Sequence, residues 1–275
     1  MPLKLMYITN DLSVAKIAEK YGVDRIWIDL ETLGKEERQK NMNSVKSHHK
    51  ISDITKIKPF LSNSKILVRV NPWNADSKNE IDSVIDAGAD YIMLPMWKSP
   101  EEVRSFLKAV GGRVKTILLL ETKDAVDCLD EILCLRGIDE IHVGLNDLHL
   151  SYGLHFMFEL LANGTVEKLC IKFKKAGIPF GFGGIAKIGE GMLPAEMVIM
   201  EHYRLGSTRV ILSRSFCDNV AIQNIDELED IFKLNIHKLR NFEKQLDFID
   251  TNEYVKNKNK VIQIVDNIVK KSKED

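Results

Sequence analysis

The feature that most constrains this chain is a rhythm. Eight short β-rich runs recur along it: KLMYIT (4–9), RIWIDL (25–30), KILVRV (65–70), YIMLP (91–95), KTILLLE (115–121), EIHVGL (140–145), IPFGFGG (178–184) and RVILSR (209–214). Each is followed by an amphipathic stretch of helical length, the sequence mark of a parallel sheet with crossover helices. Eight such units in a chain of 275 residues favour a (β/α)8 TIM barrel over an open doubly wound sheet. No G-x-G-x-x-G follows the first run, which counts against a dinucleotide-binding fold. GFGGI (181–185) ends a late strand, so by itself it is a weak phosphate-loop signal.

The expected layout is a barrel over residues 1–224 followed by a helical extension over 225–275. The apolar periodicity of IDELEDIFKLNIHKLRNFEKQL predicts extra C-terminal helices, and the final KKSKED is expected to fray. Between the second and third strands lies a long connection, residues 31–64, with room for a lid or an additional helix.

Charge narrows the partners. Lysine plus arginine total 39 against 40 acidic residues, so there is no broad basic field to attract nucleic acid or an acidic membrane, and a small molecule becomes the expected ligand. Cys128, Cys134, Cys170 and Cys217 form no C-x-x-C pair and are read as reduced thiols. MPLKLMYITNDLSV has no apolar segment of signal-peptide length, and other apolar runs are strand-sized. A soluble, cytoplasmic protein is expected.

Catalytic groups of a barrel stand at the C-terminal strand ends. Here those ends carry Asp29 and Glu31, Arg69 and Asn71, Glu121, Asn146 and Asp147, and Arg214. A carboxylate closing an apolar strand, as Glu121 does after TILLL, is costly to bury without compensation. A divalent ion is one such partner, and Glu121 with Asp147, waters and substrate oxygens would suit Mg²⁺ or Mn²⁺. The alternative is that Glu121 pairs with a core arginine and Asp147 caps the following helix. Arg69 has two readings as well: a structural partner for Asp29 or Glu31, or a bidentate holder of a small acid's carboxylate. His142 falls inside a strand and is expected in the core. His149 faces either the site or solvent. His48 and His49 sit in the long connection, as solvated loop residues or as a general base reaching over the barrel mouth.

These residues resemble those of the HpcH/HpaI aldolase and citrate lyase β-subunit family, built on the phosphoenolpyruvate/pyruvate barrel. The resemblance runs from VAKIAEKYGVDRIWIDLE to GSTRVILSR and is most specific over LLLETKDAVDCLDEILCLRGIDEIHVGLNDLHLSYG, with DAGADYIMLPMWKSPEEV as a further match. It implies a metal-dependent carbon–carbon lyase acting on a 2-keto or related oxo acid. By the same resemblance Glu121 and Asp147 match the metal carboxylates, and Arg69 the arginine that contacts the keto oxygen and stabilises an enolate. The backbone of Leu145, Asn146 and Asp147 matches the turn that receives the pyruvate carboxylate, a role helix-start N–H groups can fill. The C-terminal tail resembles a segment that family members pack against a neighbour, which implies a homo-oligomer.

Two positions depart from the family. Thr32 stands where aldolases of the family carry an acid/base histidine, and Leu119 where a glutamine is frequent. Threonine cannot replace an imidazole as a base near neutral pH. Two further readings therefore stay open: a citrate lyase β-like acyl-thioester lyase or hydrolase, and a non-catalytic barrel that keeps the metal and anion site.

Overall fold

The computed structural model describes residues 1–34, 49–218, 221–222 and 224–274. The strands are β1 (Lys4–Ile8), β2 (Arg25–Asp29), β3 (Lys65–Arg69), β4 (Tyr91–Leu94), β5 (Lys115–Leu120), β6 (Glu140–Val143), β7 (Phe180–Ile185) and β8 (Arg209–Leu212). Between them run α1 (Leu12–Lys20), α2 (Ile51–Ile57), α3 (Ser77–Asp86), α4 (Pro100–Val110), α5 (Lys123–Asp127), α6 (Leu129–Ile132), α7 (Leu145–Ser151), α8 (Glu159–Ala162), α9 (Thr165–Ala176) and α10 (Ala195–Leu205). Two long helices follow, α11 (Ile225–Leu246) and α12 (Thr251–Glu274). All strands pair in parallel and in sequence order, and β8 closes on β1 with Leu5 opposite Val210. This is the (β/α)8 barrel that the strand–helix rhythm predicts.

Strand limits differ from expectation where local chemistry intervenes. Pro179 has no N–H to give a ladder, and β7 starts after it at Phe180 and runs on to Ile185. The sixth strand stops at Val143 because Gly144 turns the chain and Leu145 already opens α7. Helix starts follow side-chain capping: Asp11 accepts from the N–H groups of Ser13 and Val14, and Ser99 accepts from Glu102 N–H ahead of Pro100.

The barrel interior is layered. At its floor, where the strands begin, Arg25 donates to both oxygens of Glu140 at 2.6 and 2.7 Å, and Arg209 Nε stands 3.0 Å from Glu140 Oε2. The Tyr91 ring lies 4.0 Å from the Arg25 guanidinium. Above this polar plug the interior is filled by Met6, Trp27, Leu67, Met93, Ile117 and Leu119, all buried. His142 is fully buried, as its strand position predicts, with Nε2 3.1 Å from Gly183 O. Since that carbonyl only accepts, Nε2 carries the ring proton. A second, larger core joins the outer strand faces to the helices.

α11 packs on α1 and α10, and α12 on α8 and α10. Phe232 of α11 meets Tyr7 edge-to-face at 5.0 Å, while Asn257 of α12 donates to Glu201 Oε1 at 3.0 Å. Among the described residues no helix is long and apolar enough to cross a membrane.

Candidate active site

The C-terminal strand ends open onto a cavity of about 610 Å³, lined by Arg69, Glu121, Leu145, Asn146 and Asp147 together with Leu119, Arg214 and a set of apolar side chains. Of the residues picked out from strand ends, Arg69, Glu121, Asn146, Asp147 and Arg214 line this one space, whereas Asp29, Glu31 and Asn71 are not in its lining.

Glu121 directly follows β5 and is only 3% exposed. Its Oε1 accepts from Met96 N–H at 3.0 Å, and Met96 adopts φ +53° to present that N–H. A left-handed methionine costs about 1 kcal/mol or more, which the surrounding fold must offset. Oε2 lies against Gly144, where a Cβ would come within 2.8 Å of it. Burial and the neighbouring Asp147 push the Glu121 carboxyl well above its usual range, with Arg69 pulling the other way. Sequence reasoning missed both Met96 and Gly144, since a backbone donor and an absent Cβ leave no side-chain signature.

Arg69 fulfils the structural reading and also lines the cavity. Nε and Nη2 donate to the two oxygens of Asp29, each at 2.9 Å, and Nη1 stands 3.2 Å from Glu31 Oε2. Burial works against its charge, but Asp29 and Glu31 outweigh burial and hold the guanidinium above its ordinary range. Three of its five N–H bonds account for these contacts; the fork geometry leaves two for other acceptors.

In α7 the first helical bond runs from Leu148 N–H to Gly144 O at 3.0 Å. The N–H groups of Leu145, Asn146 and Asp147 stand ahead of that bond at the cavity wall. His149 is buried, with Nδ1 3.2 Å from Leu145 O, so it braces this turn from within.

Of the two loop histidines, His48 lies outside the described residues. His49 Nδ1 accepts from Asp29 N–H at 3.0 Å, which puts the proton of a neutral ring on Nε2. Among the described residues His49 is not part of the cavity lining. Thr32 is held by Asn71, whose Oδ1 accepts from Thr32 N–H at 2.9 Å and from Thr32 Oγ1 at 3.3 Å. Asn71 in turn donates to Glu80 at 2.7 Å.

The donor set is all oxygen: two carboxylates, one buried and raised by the other, next to a cavity with room for water and substrate oxygens. That fits a hard divalent cation that keeps part of its hydration shell, rather than one needing a full protein cage. Among the described residues no group of three or more His, Cys, Asp or Glu side chains could enclose an ion.

A family model for HpcH/HpaI aldolase/citrate lyase matches residues 5–159, which hold Arg69, Glu121 and the whole α7 turn. The chain belongs to the HpcH/HpaI aldolase/citrate lyase family. It is 25% identical to a hydroxypyruvate/pyruvate aldolase of Sagittula stellata, over 45% of this chain and 59% of that protein. It is 31% identical to a 2-keto-3-deoxy-L-rhamnonate aldolase of Escherichia coli K12, over 28% of this chain and 40% of that one. The chain thus spans less than two thirds of the length of these curated relatives. Among solved structures, an HpcH/HpaI aldolase/citrate lyase family protein from Burkholderia cenocepacia J2315 superposes with a TM-score of 0.60 at 18% identity, covering 82% of this chain and 94% of that one. An HpcH/HpaI aldolase from Desulfitobacterium hafniense DCB-2 gives 0.60 at 16%, covering 77% and 86%. These two likenesses concern the barrel itself.

Proposed function

We propose that this family member is a divalent-cation-dependent carbon–carbon lyase that cleaves or forms a bond at C3 of a 2-keto acid or related oxo acid. The observation that carries the reading is the convergence of Arg69, Glu121 and Asp147 on one cavity at the C-terminal end of the barrel. Glu121 and Asp147 would hold Mg²⁺ or Mn²⁺, which when bound supplies Lewis-acid polarisation of the substrate's 2-keto group. The chain's own residues do the rest. The N–H groups of Leu145, Asn146 and Asp147 seat the substrate carboxylate. Arg69, held rigid by Asp29 and Glu31, offers its remaining N–H bonds to the keto oxygen and stabilises the negative charge that develops there as the C3 proton leaves.

Thr32 is tied to Asn71 and has no basic nitrogen, and His49 is off the cavity lining with its Nδ1 engaged, so within this reading the C3 base is His48 and His49 its support. The Asp29 bond makes His49 a link to the Arg69 clamp, so alanine substitution of each histidine separately tells base from brace. Assembly as a homo-oligomer and action in the cytoplasm belong to the same reading; the four cysteines, all free thiols, support the latter.

The test is proton exchange. Incubation with pyruvate and Mg²⁺ or Mn²⁺ in D₂O is expected to replace the methyl protons by deuterium, with loss on chelation and in Glu121→Gln. Absence of exchange with every small 2-keto acid would overturn the reading. Thiol release from a malyl-type thioester without carbon–carbon cleavage would replace it with thioester hydrolysis.

A further inference from the structure

The cavity is larger than a three-carbon keto acid needs. Six heavy atoms, even at the ~30 Å³ that a water occupies in the liquid, fill less than a third of the 610 Å³ present. Most of what lines the remainder is apolar. Phe156 and Phe158, from the segment after α7, meet edge-to-face with centroids 5.4 Å apart. Met192 and Leu193, from the connection after β7, and Val198 of α10 complete this wall.

The lining therefore combines two chemistries. One is the guanidinium, the two carboxylates and the α7 N–H groups. The other is apolar: an aromatic pair gives a rigid surface, and the flexible thioether of Met192 can adapt to what lies on it. Met192 is 70% exposed, at the rim, whereas its neighbour Leu193 is buried in the wall. Among the described lining residues, the polar side chains other than Arg69, Glu121, Asn146 and Asp147 are Ser213, Arg214, Ser215 and Asp218, all in the one segment that leaves β8. A polyhydroxylated chain laid on the Phe156–Phe158 and Met192–Leu193 wall would lose water contacts without replacement. An alkyl or aryl chain would gain by leaving water.

We infer that the carbon–carbon partner of the keto acid is an aldehyde with an apolar alkyl or aryl tail, and that Phe156, Phe158, Met192, Leu193 and Val198 form its subsite. This rests on the 2-keto acid reading above and adds the substrate class. In condensation the keto acid loses a C3 proton, C3 bonds to the aldehyde carbonyl carbon, and the aldehyde oxygen takes up a proton. Cleavage is the reverse, releasing the apolar aldehyde.

The experiment uses the full chain with Mn²⁺ and pyruvate and compares propanal, butanal, pentanal and hexanal with glyceraldehyde and succinic semialdehyde. Burying a methylene is worth about fourfold in an equilibrium or rate ratio, so kcat/KM is expected to rise by about that factor per added carbon. Hexanal should exceed both polar aldehydes. Met192→Ser, at an exposed position that does not endanger folding, should lower the hexanal-to-propanal ratio. Direct calorimetry with 2-oxooctanoate against 2-oxobutanoate gives a readout free of turnover, and the longer acid should bind more tightly. Deuterium exchange into pyruvate separates the two levels. Exchange together with a flat or reversed aldehyde series overturns the apolar subsite and leaves the lyase reading standing. Absence of exchange together with equal binding of the two oxo acids overturns both.

Discussion

Gly144 lies against Glu121 so closely that a Cβ on it would stand 2.8 Å from Oε2 and 3.0 Å from the Glu121 Cβ. Gly144 has φ −80°, a conformation open to any residue, so the glycine is required for space and not for backbone freedom. The contact ties the β6 exit, which leads into Asp147, to the β5 exit, which carries Glu121.

Gly144→Ala should therefore displace the Glu121 carboxylate. Overpacking of this kind costs about 1–3 kcal/mol, and the stability loss is measurable by urea denaturation. The sharper readout is Mn²⁺ titration followed by electron paramagnetic resonance, where affinity should fall by about tenfold or more. Unchanged Mn²⁺ affinity with lowered stability would mean that Glu121 is not a ligand.

Arg69 gives two separable outcomes. Arg69→Met leaves Asp29 and Glu31 buried beside an uncharged side chain, and breaking a buried pair from one side costs about 3–5 kcal/mol. Arg69→Lys keeps the charge but not the fork, so most stability should survive. Pyruvate exchange should nonetheless drop by about 10²-fold, the usual loss when a charge-stabilising donor is removed. Equal exchange in wild type and Arg69→Lys would confine Arg69 to the clamp.

How much of this could be read in the sequence follows from which signals are local. The barrel was legible because every strand is a compact apolar run and every connection has helical length; closure of β8 on β1 then follows from the count. Glu121 was legible because a carboxylate ending an apolar run stands out on its own, and Asp147 because it comes a few residues after the next such run. Arg69 takes its structural reading while also lining the cavity, which spacing alone could not reveal, because its partners Asp29 and Glu31 come from another strand exit. Met96 was invisible: its contribution is a backbone N–H offered by a left-handed turn. The apolar wall was hidden for a different reason. HFMFELL reads as ordinary helix-forming core, and only the folded chain brings its two phenylalanines to the same cavity as Met192 and Leu193.

The barrel floor predicts an effect on stability alone. Glu140 is the shared counter-ion of Arg25 and Arg209, all three buried. Glu140→Gln leaves two guanidiniums facing a neutral amide, and the expected cost is about 3–5 kcal/mol. The floor lies at the strand N-termini, and none of Arg25, Glu140 and Arg209 lines the cavity at the other end. Turnover per folded molecule at 20 °C should be the same as in the parent chain, while the thermal midpoint falls. A matching loss of turnover in fully folded protein would show coupling between floor and mouth.

Acid sensitivity should begin at an unusually mild pH, for a reason set by two buried rings. Burial, opposed by the Gly183 bond and reinforced by Arg209 and Arg25, lowers the pKa of His142 from 6.5 to about 3. Burial lowers that of His202 as well, and its ring stacks on Phe182 at 3.8 Å. Above pH 6.5 both rings are neutral folded or unfolded, and their contribution to stability is complete. As the pH falls below 6.5 the unfolded chain takes up protons that the folded chain refuses, so the contribution of these two rings to stability declines toward pH 3. Thermal midpoints measured between about pH 7.5 and 5, above the range where most carboxylates titrate, should drop with a slope that His142→Gln reduces. A midpoint that stays level over this interval, or an unchanged slope in the variant, would mean that these rings accept protons without unfolding.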